Sequence, residues 1–380
     1  MPRRLPGGAG AIGWYTRVSL RPGDGLRVVQ GPFLREHPVR SVMDVITLPR
    51  ADDLHVHLRQ DELLRLVTPL VWGGGVGRCL VMPNTRLPVT SVAAACAYRD
   101  ELRSIEPRVE FLMTLYLTAA LTADEVRRAA DAGIVGVKCY PQGVTTHSDS
   151  GIEDLARYDS VFAAMEEVGL VLELHGEVPS DPSRDICILN AEQRFLPELE
   201  RLHRSFPRLR LVLEHVTTSE AVACVRRLGA TVAATITAHH LELCADDWAG
   251  RNHNFCKPVA KFPHDRAALR DAVREGHPRF FLGSDSAPHP RTAKEAPAAC
   301  AGIFTTPLLL AHLATTFDSL GCLECLAGFA SGHGRTFYGL AEAPDTVRLE
   351  RHDQVVPQAY GDVVPFRAGE PLHWRVAGGR

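Results

Sequence analysis

The chain has 380 residues, 45% of them hydrophobic and 23% charged, with a formal net charge of −3. That is enough apolar material for one large core, and the near-balanced charge gives no electrostatic basis for binding nucleic acid or an anionic membrane. No apolar run approaches the ~20 residues needed to cross a bilayer, and the ten scattered Cys suit reduced thiols in a cytoplasmic setting better than a disulfide framework.

Residues 1–40 read as an extension. They carry seven Arg against only Asp24 and Glu36 and lack the apolar stretch of a secretory signal, leaving a transit peptide open beside an ordinary extension. Residues 41–380 read as one domain built on a repeated unit: an apolar run, a polar turn, then a helical pattern. The expected strands are Asp53–His57, Arg78–Met82, Val109–Leu117, Gly133–Tyr140, Leu170–His175, Leu209–His215, Thr231–Thr237 and Phe280–Ser284. They are short and nearly continuous in apolar residues, as parallel strands covered on both faces are. Between them, Ser91–Ile105 has an amphipathic helical pattern. Thr122 and Glu125 have capping-box spacing for a helix ending at Gly133. Asp265 is expected to cap a helix over Arg266–Glu275. Cys322-Leu323-Glu324-Cys325 reads as part of a helix rather than a metal or redox pair. Beyond about Asp345 the tail suggests a strand or two outside the main fold. Eight strands alternating with helices predict an α/β (β/α)8 TIM barrel. A doubly wound open sheet is the runner-up, since periodicity cannot show closure, although no Gly-x-Gly-x-x-Gly follows the first strand.

In a barrel, chemistry gathers at the C-terminal ends of the strands. His55 and His57, two apart on a strand, share a face and together suit zinc or a similar ion; an isolated pair of this kind is more often two solvent-facing histidines. Lys138 sits inside a strand, where an ammonium is costly. It either snorkels to the rim or pairs with Asp285, or it is carboxylated by CO2 into a carbamate able to bridge a metal pair. Asp285 follows the last strand and could bind metal and accept a proton, or simply cap a turn. His239-His240 offers a donor to a metal ligand or ordinary packing, and neither is assigned to the site.

The segments Asp53-Leu54-His55-Val56-His57-Leu58-Arg59, Met82-Pro83-Asn84, Lys138-Cys139-Tyr140-Pro141, His175-Gly176-Glu177, Glu214-His215-Val216-Thr217-Thr218, Asn254-Phe255-Cys256-Lys257-Pro258 and Gly283-Ser284-Asp285-Ser286-Ala287-Pro288-His289 together resemble the amidohydrolase superfamily, and within it the monofunctional bacterial and fungal dihydroorotases. The resemblance covers roughly residues 48–370. It implies that His55, His57 and Asp285 bind one zinc, that His175 and His215 bind a second, and that carboxylated Lys138 and a hydroxide bridge them. It implies that Arg59, Asn84 and His289 hold a substrate carboxylate and that the backbone at Lys257 and Ala301 reads the substrate ring. Thr145 and Thr146 would belong to a closing loop, and the subunit to a homodimer. The implied reaction is the reversible closure of N-carbamoyl-L-aspartate to L-dihydroorotate in pyrimidine biosynthesis, with Asp285 as proton shuttle. The rivals are another cyclic amidohydrolase, such as a hydantoinase or allantoinase, and a catalytically inactive scaffold.

Overall fold

A computed structural model describes residues 44–144, 151–152, 154–343 and 345–378; the extension read over 1–40 lies outside them. After β1 (Val45–Pro49), eight strands follow in order: β2 (Ala51–Val56), β3 (Val76–Val81), β4 (Glu110–Tyr116), β5 (Gly136–Cys139), β6 (Val171–Leu174), β7 (Leu211–Leu213), β8 (Val232–Ile236) and β9 (Phe280–Leu282). Each of these eight pairs in parallel with the next, giving the sheet order β2 through β9.

Closure comes just beyond the last strand. Asp285 N donates to His55 O at 2.9 Å, His57 N donates to Ser286 O at 3.0 Å, and Val56 bridges Ser286 in parallel. Asp53 pins the same seam from within. Its carboxylate accepts Ser284 N at 2.7 Å, Ser284 Oγ at 2.6 Å and its own chain's His55 N at 3.3 Å. Gly283 permits the approach, because a Cβ there would lie 2.7 Å from Thr235 Cβ and 2.9 Å from His55 Cβ. The closed barrel therefore replaces the open-sheet alternative.

Helices follow the strands as the sequence predicts. Ser91 and Thr122 accept Ala94 N and Glu125 N, capping Val92–Ile105 and Ala123–Asp131. Two capping expectations need correction. Glu125 does not reach back to Thr122; its Oε1 accepts Val92 N of the neighbouring helix at 2.8 Å. Asp265 is not an N-cap but lies inside Pro263–Arg274, where it accepts Phe262 N and Ser219 N. The Cys322–Cys325 stretch forms a short 3-10 turn with Cys322 buried.

Two apolar layers result. Leu54, Leu80, Leu112, Val171, Val212, Ala233 and Phe281 fill the barrel interior with Tyr338. A larger layer lies between strands and helices. The tail forms β10 (Thr346–Val355) and β11 (Pro371–Val376), joined by β1 in a separate antiparallel sheet of order β1-β10-β11. The sequence reading missed β1, because only Arg50 separates it from β2. Trp374 of β11 is buried and donates through Nε1 to Asp318 of helix Leu309–Ser319 at 3.2 Å.

Asp53→Ala should strand the buried N–H groups of Ser284 and His55 at the seam and lower unfolding free energy by about 2–4 kcal/mol. The denaturant midpoint of the purified variant measures this, and an unchanged midpoint would refute a closing role for Asp53.

Candidate active site

The metal-type side chains converge at the C-terminal mouth of the barrel. On β2 the register against β3 shifts, Asp53 pairing with Cys79 and Val56 with Val81, so β2 holds one extra residue there. This bulge lets Leu54 fill the interior while His55 and His57, beyond it, still reach a common centre. Their Nε2 atoms lie 3.5 and 3.1 Å from Asp285 Oδ1, and the three residues offer ligand atoms within 4.8 Å of one another. Ring centroids then run from His57 to His55 at 5.4 Å, His55 to His215 at 5.0 Å and His215 to His175 at 4.8 Å. The Lys138 charge acts on His55, His57, His215 and Asp285 alike, which places it among them.

Two of the turning points are strained. His215 has φ 40° and Asp285 has φ 43°, both in the left-handed region, which costs non-glycine residues about 1–2 kcal/mol each. Hydrogen bonds hold the turns. His215 N donates to Thr235 Oγ1 at 2.6 Å, and buried Glu192 accepts the backbone N–H groups of Thr217 and Thr218.

The electrostatics favour ligating forms. Burial, with the Lys138 charge, pushes His55 down to about 4. Burial likewise holds His57 and His215 well below the usual histidine range. Neutral imidazole is the form that binds metal. Glu214 lies 2.9 Å from His55 Nδ1 and accepts Thr235 Oγ1 at 2.5 Å. Burial raises its carboxyl, but His55, Lys138 and these contacts outweigh that and leave it lowered. Glu177 accepts from His175 Nε2 at 3.0 Å and lies 3.4 Å from Lys261 Nζ, which directs the other ring nitrogen of His175 elsewhere. Burial lowers Lys138 against the pull of Glu214, Glu173 and Asp285. Among the described residues its buried Nζ has no hydrogen-bond partner, a poor setting for an ammonium and a good one for a neutral amine. Burial raises Asp285, partly offset by His55 and Lys138.

A cavity beside this cluster is lined by His57, Arg59, Asn84, Lys257, Asp285, Ala287, Ala301 and Gly302. Arg59 Nε donates to Pro288 O at 3.0 Å, and Tyr98 OH donates to Arg59 O at 2.5 Å. Arg59 Nη2 lies 3.0 Å from His289 Nε2, which is also 3.0 Å from Ala301 O. That nitrogen accepts from Arg59 in one tautomer and donates to Ala301 in the other, not both. Burial, Arg59 and Lys294 push His289 down to about 2, so the ring is neutral. Tyr140 OH donates to Asn84 Oδ1 at 2.9 Å, which turns the amide nitrogen to the opposite side. Thr145 and Thr146 lie outside the described residues.

Glu214, Glu177, Asp53 and Tyr140 stood within the segments read from the sequence but were given no part there. Each touches a residue that was. His239, His240 and Cys256 form a second buried group of potential ligands. Since His240 Nε2 and Cys256 Sγ both contact Pro258 O, at 3.0 and 3.2 Å, we read that group as a brace for the Lys257–Pro258 segment.

A sequence profile described as amidohydrolase matches residues 88–233. A dihydroorotase of Mycosarcoma maydis is 48% identical, the match covering 87% of this chain and 98% of that protein. The crystal structure of dihydroorotase from Saccharomyces cerevisiae in complex with 5-fluoroorotic acid superposes with a TM-score of 0.86 at 42% identity, covering 88% of this chain and 98% of that one. An L-hydantoinase of Arthrobacter aurescens shares the fold at TM-score 0.76, with 19% identity over 87% of this chain and 84% of that one.

Glu214→Gln should weaken divalent-metal affinity roughly 10–100-fold by loosening His55. Titration of the metal-free protein with zinc would read this, and equal affinity would refute the orienting role.

Proposed function

This chain belongs to the dihydroorotases, hydrolases that act on a cyclic amide, and we propose that its barrel mouth interconverts L-dihydroorotate and N-carbamoyl-L-aspartate with two zinc ions bound. The observation that carries this reading is one continuous site. Four imidazoles, Lys138 and Asp285 converge beside a cavity that also holds Arg59 and Asn84.

The donor set fits metal. His55, His57 and Asp285 would hold one ion, and His175 and His215 the other. Lys138 would bridge them once its neutral amine adds to CO2, forming an N–C bond and releasing one proton. The carbamate replaces a buried cation with two oxygens that share one negative charge. When bound, zinc supplies Lewis acidity and a nucleophilic water near neutral pH.

The remaining work falls to the chain. Arg59 would grip the substrate carboxylate through parallel N–H donors. A carboxylate there competes with His289 for Arg59 Nη2, and Asn84 adds its amide N–H. Backbone groups of Lys257 and Ala301 would pair with the ring edge. In hydrolysis Asp285 would take the proton of the attacking water and return it to the leaving ring nitrogen. Thr145 and Thr146, placed by sequence alone, would add hydroxyl donors when their loop closes. We also assign the chain as a cytoplasmic homodimer, on the family's pattern. No helix among the described residues is long and apolar enough to cross a membrane.

The deciding experiment joins metal analysis of the purified protein with an assay of dihydroorotate hydrolysis. About two zincs per chain with turnover are expected; turnover of hydantoin or allantoin but not dihydroorotate would reverse the assignment. Asp285→Ala should cut kcat by roughly 10²–10⁴ beyond any loss of metal. Near-normal kcat with metal bound would remove the shuttle role.

A further inference from the structure

Lys294 belongs to no site named so far. It ends the short helix Arg291–Lys294 and is 4% exposed. Its Nζ donates to three backbone carbonyls: Phe255 O at 2.8 Å, Cys300 O at 3.0 Å and Gly302 O at 2.8 Å. An ammonium has three N–H donors, and all three are used. Two acceptors flank Ala301, and the third lies two residues before Lys257. The clamped segments therefore carry Lys257, Ala301 and Gly302, which line the cavity beside Asp285. Gly302 N also donates to Phe255 O at 3.0 Å. Gly302 has φ 153°, and a Cβ there would lie 2.3 Å from Ala287 O. The joint between the segments thus allows little slack.

We propose that Lys294 is a positioning residue, a charged staple that sets the spacing of the Lys257 and Ala301 backbones and so the fit of the substrate ring. This rests on the reading that the cavity takes dihydroorotate. Burial lowers the Lys294 pKa to about 8, with the Cys256 and Cys300 thiols pulling it back. The folded pKa lies below the free-lysine value, so the fold binds this proton more weakly than the unfolded chain does. From about pH 8 up to the free-lysine value, linkage through this group therefore favours folding as pH rises. The charge strains the fold and is retained nonetheless.

The groups facing Nζ from neighbouring segments are the Cys256 and Cys300 thiols and the His239 and His289 rings. The Phe255 ring lies 6.0 Å away. Burial keeps both imidazoles neutral and raises the Cys256 thiol. Deprotonated Lys294 has two N–H donors for three carbonyls. The expected signature is a KM for dihydroorotate that rises above about pH 8 while kcat changes less.

The test compares the unaltered enzyme, Lys294→Met and Cys300→Ser from pH 7 to 9.5, with metal content and melting temperature measured for each. Lys294→Met should keep its metal, raise KM about tenfold or more, leave kcat within about threefold and lose the alkaline rise. Cys300→Ser should retain that rise. A KM for Lys294→Met within twofold of the unaltered enzyme overturns the proposal, as does loss of the rise in Cys300→Ser. If Lys294→Met fails to fold, a flat KM in the unaltered enzyme overturns it and a rise retained in Cys300→Ser supports it. Inactivity of the unaltered, metal-loaded enzyme towards dihydroorotate overturns the functional reading and this proposal with it.

Discussion

The seam between β2 and β9 is the constraint on which the site depends. Asp285 N bonds to His55 O and His57 N to Ser286 O, so the hydrogen bonds that close the barrel also place the ligand candidates. His57 and Asp285 are separated by 228 positions, yet their side chains meet because their backbones are paired. Asp53 and Gly283 serve the same junction, one by gripping Ser284 and the other by having no side chain. A barrel that failed to close here would lose the His55, His57 and Asp285 group and the Arg59 cavity together.

Around that seam the barrel mouth is charged where a core is normally apolar. Lys138, Glu173 and Glu214 are all fully or almost fully buried. Burial raises Glu173 well above the usual carboxylate range, with Glu214 adding to it and Lys138 opposing. Glu214 escapes the same fate through His55, Lys138 and Thr235. Such a layer costs stability, as do the left-handed turns at His215 and Asp285. Strain and buried charge gathered at one end of a well-packed barrel are what an active site requires. The apolar plug of Leu54, Val171, Val212 and Phe281 shows that the interior is otherwise conventional.

Most of the barrel was legible because parallel strands and amphipathic helices leave different periods in the chain. All eight barrel strands lie in or beside the expected runs, and the HxH, Lys138, His175, His215 and Asp285 were found at strand ends. What escaped depended on local geometry that composition does not encode. The β2 bulge breaks the alternation that should have put Leu54 and His55 on opposite faces. The turn at His215 brings Glu214 against His55, although neighbours on a regular strand point apart. β1 pairs with the tail rather than with β2, a long-range choice invisible to periodicity. Capping expectations failed at Glu125 because its carboxylate found a donor on the neighbouring helix, and at Asp265 because the helix starts earlier, at Pro263, so Asp265 caps it from within.

Side chains beside the histidines must separate a dihydroorotase from a hydantoinase on this fold. Metal ligands alone cannot, since both chemistries open a cyclic amide and the hydantoinase shares the barrel. The distinction lies in the pocket beside the histidines. Arg59 is turned there by its own left-handed φ of 61° and held through Tyr98 and Pro288. Among the described residues, the guanidinium so fixed bonds one carbonyl and one neutral imidazole. A desolvated guanidinium is costly, and the Asp285 carboxylate only partly offsets the burial of Arg59. A substrate carboxylate would add a directly bonded counter-charge, and a ring amide carried on the same small molecule would then reach the mouth where Asp285 stands.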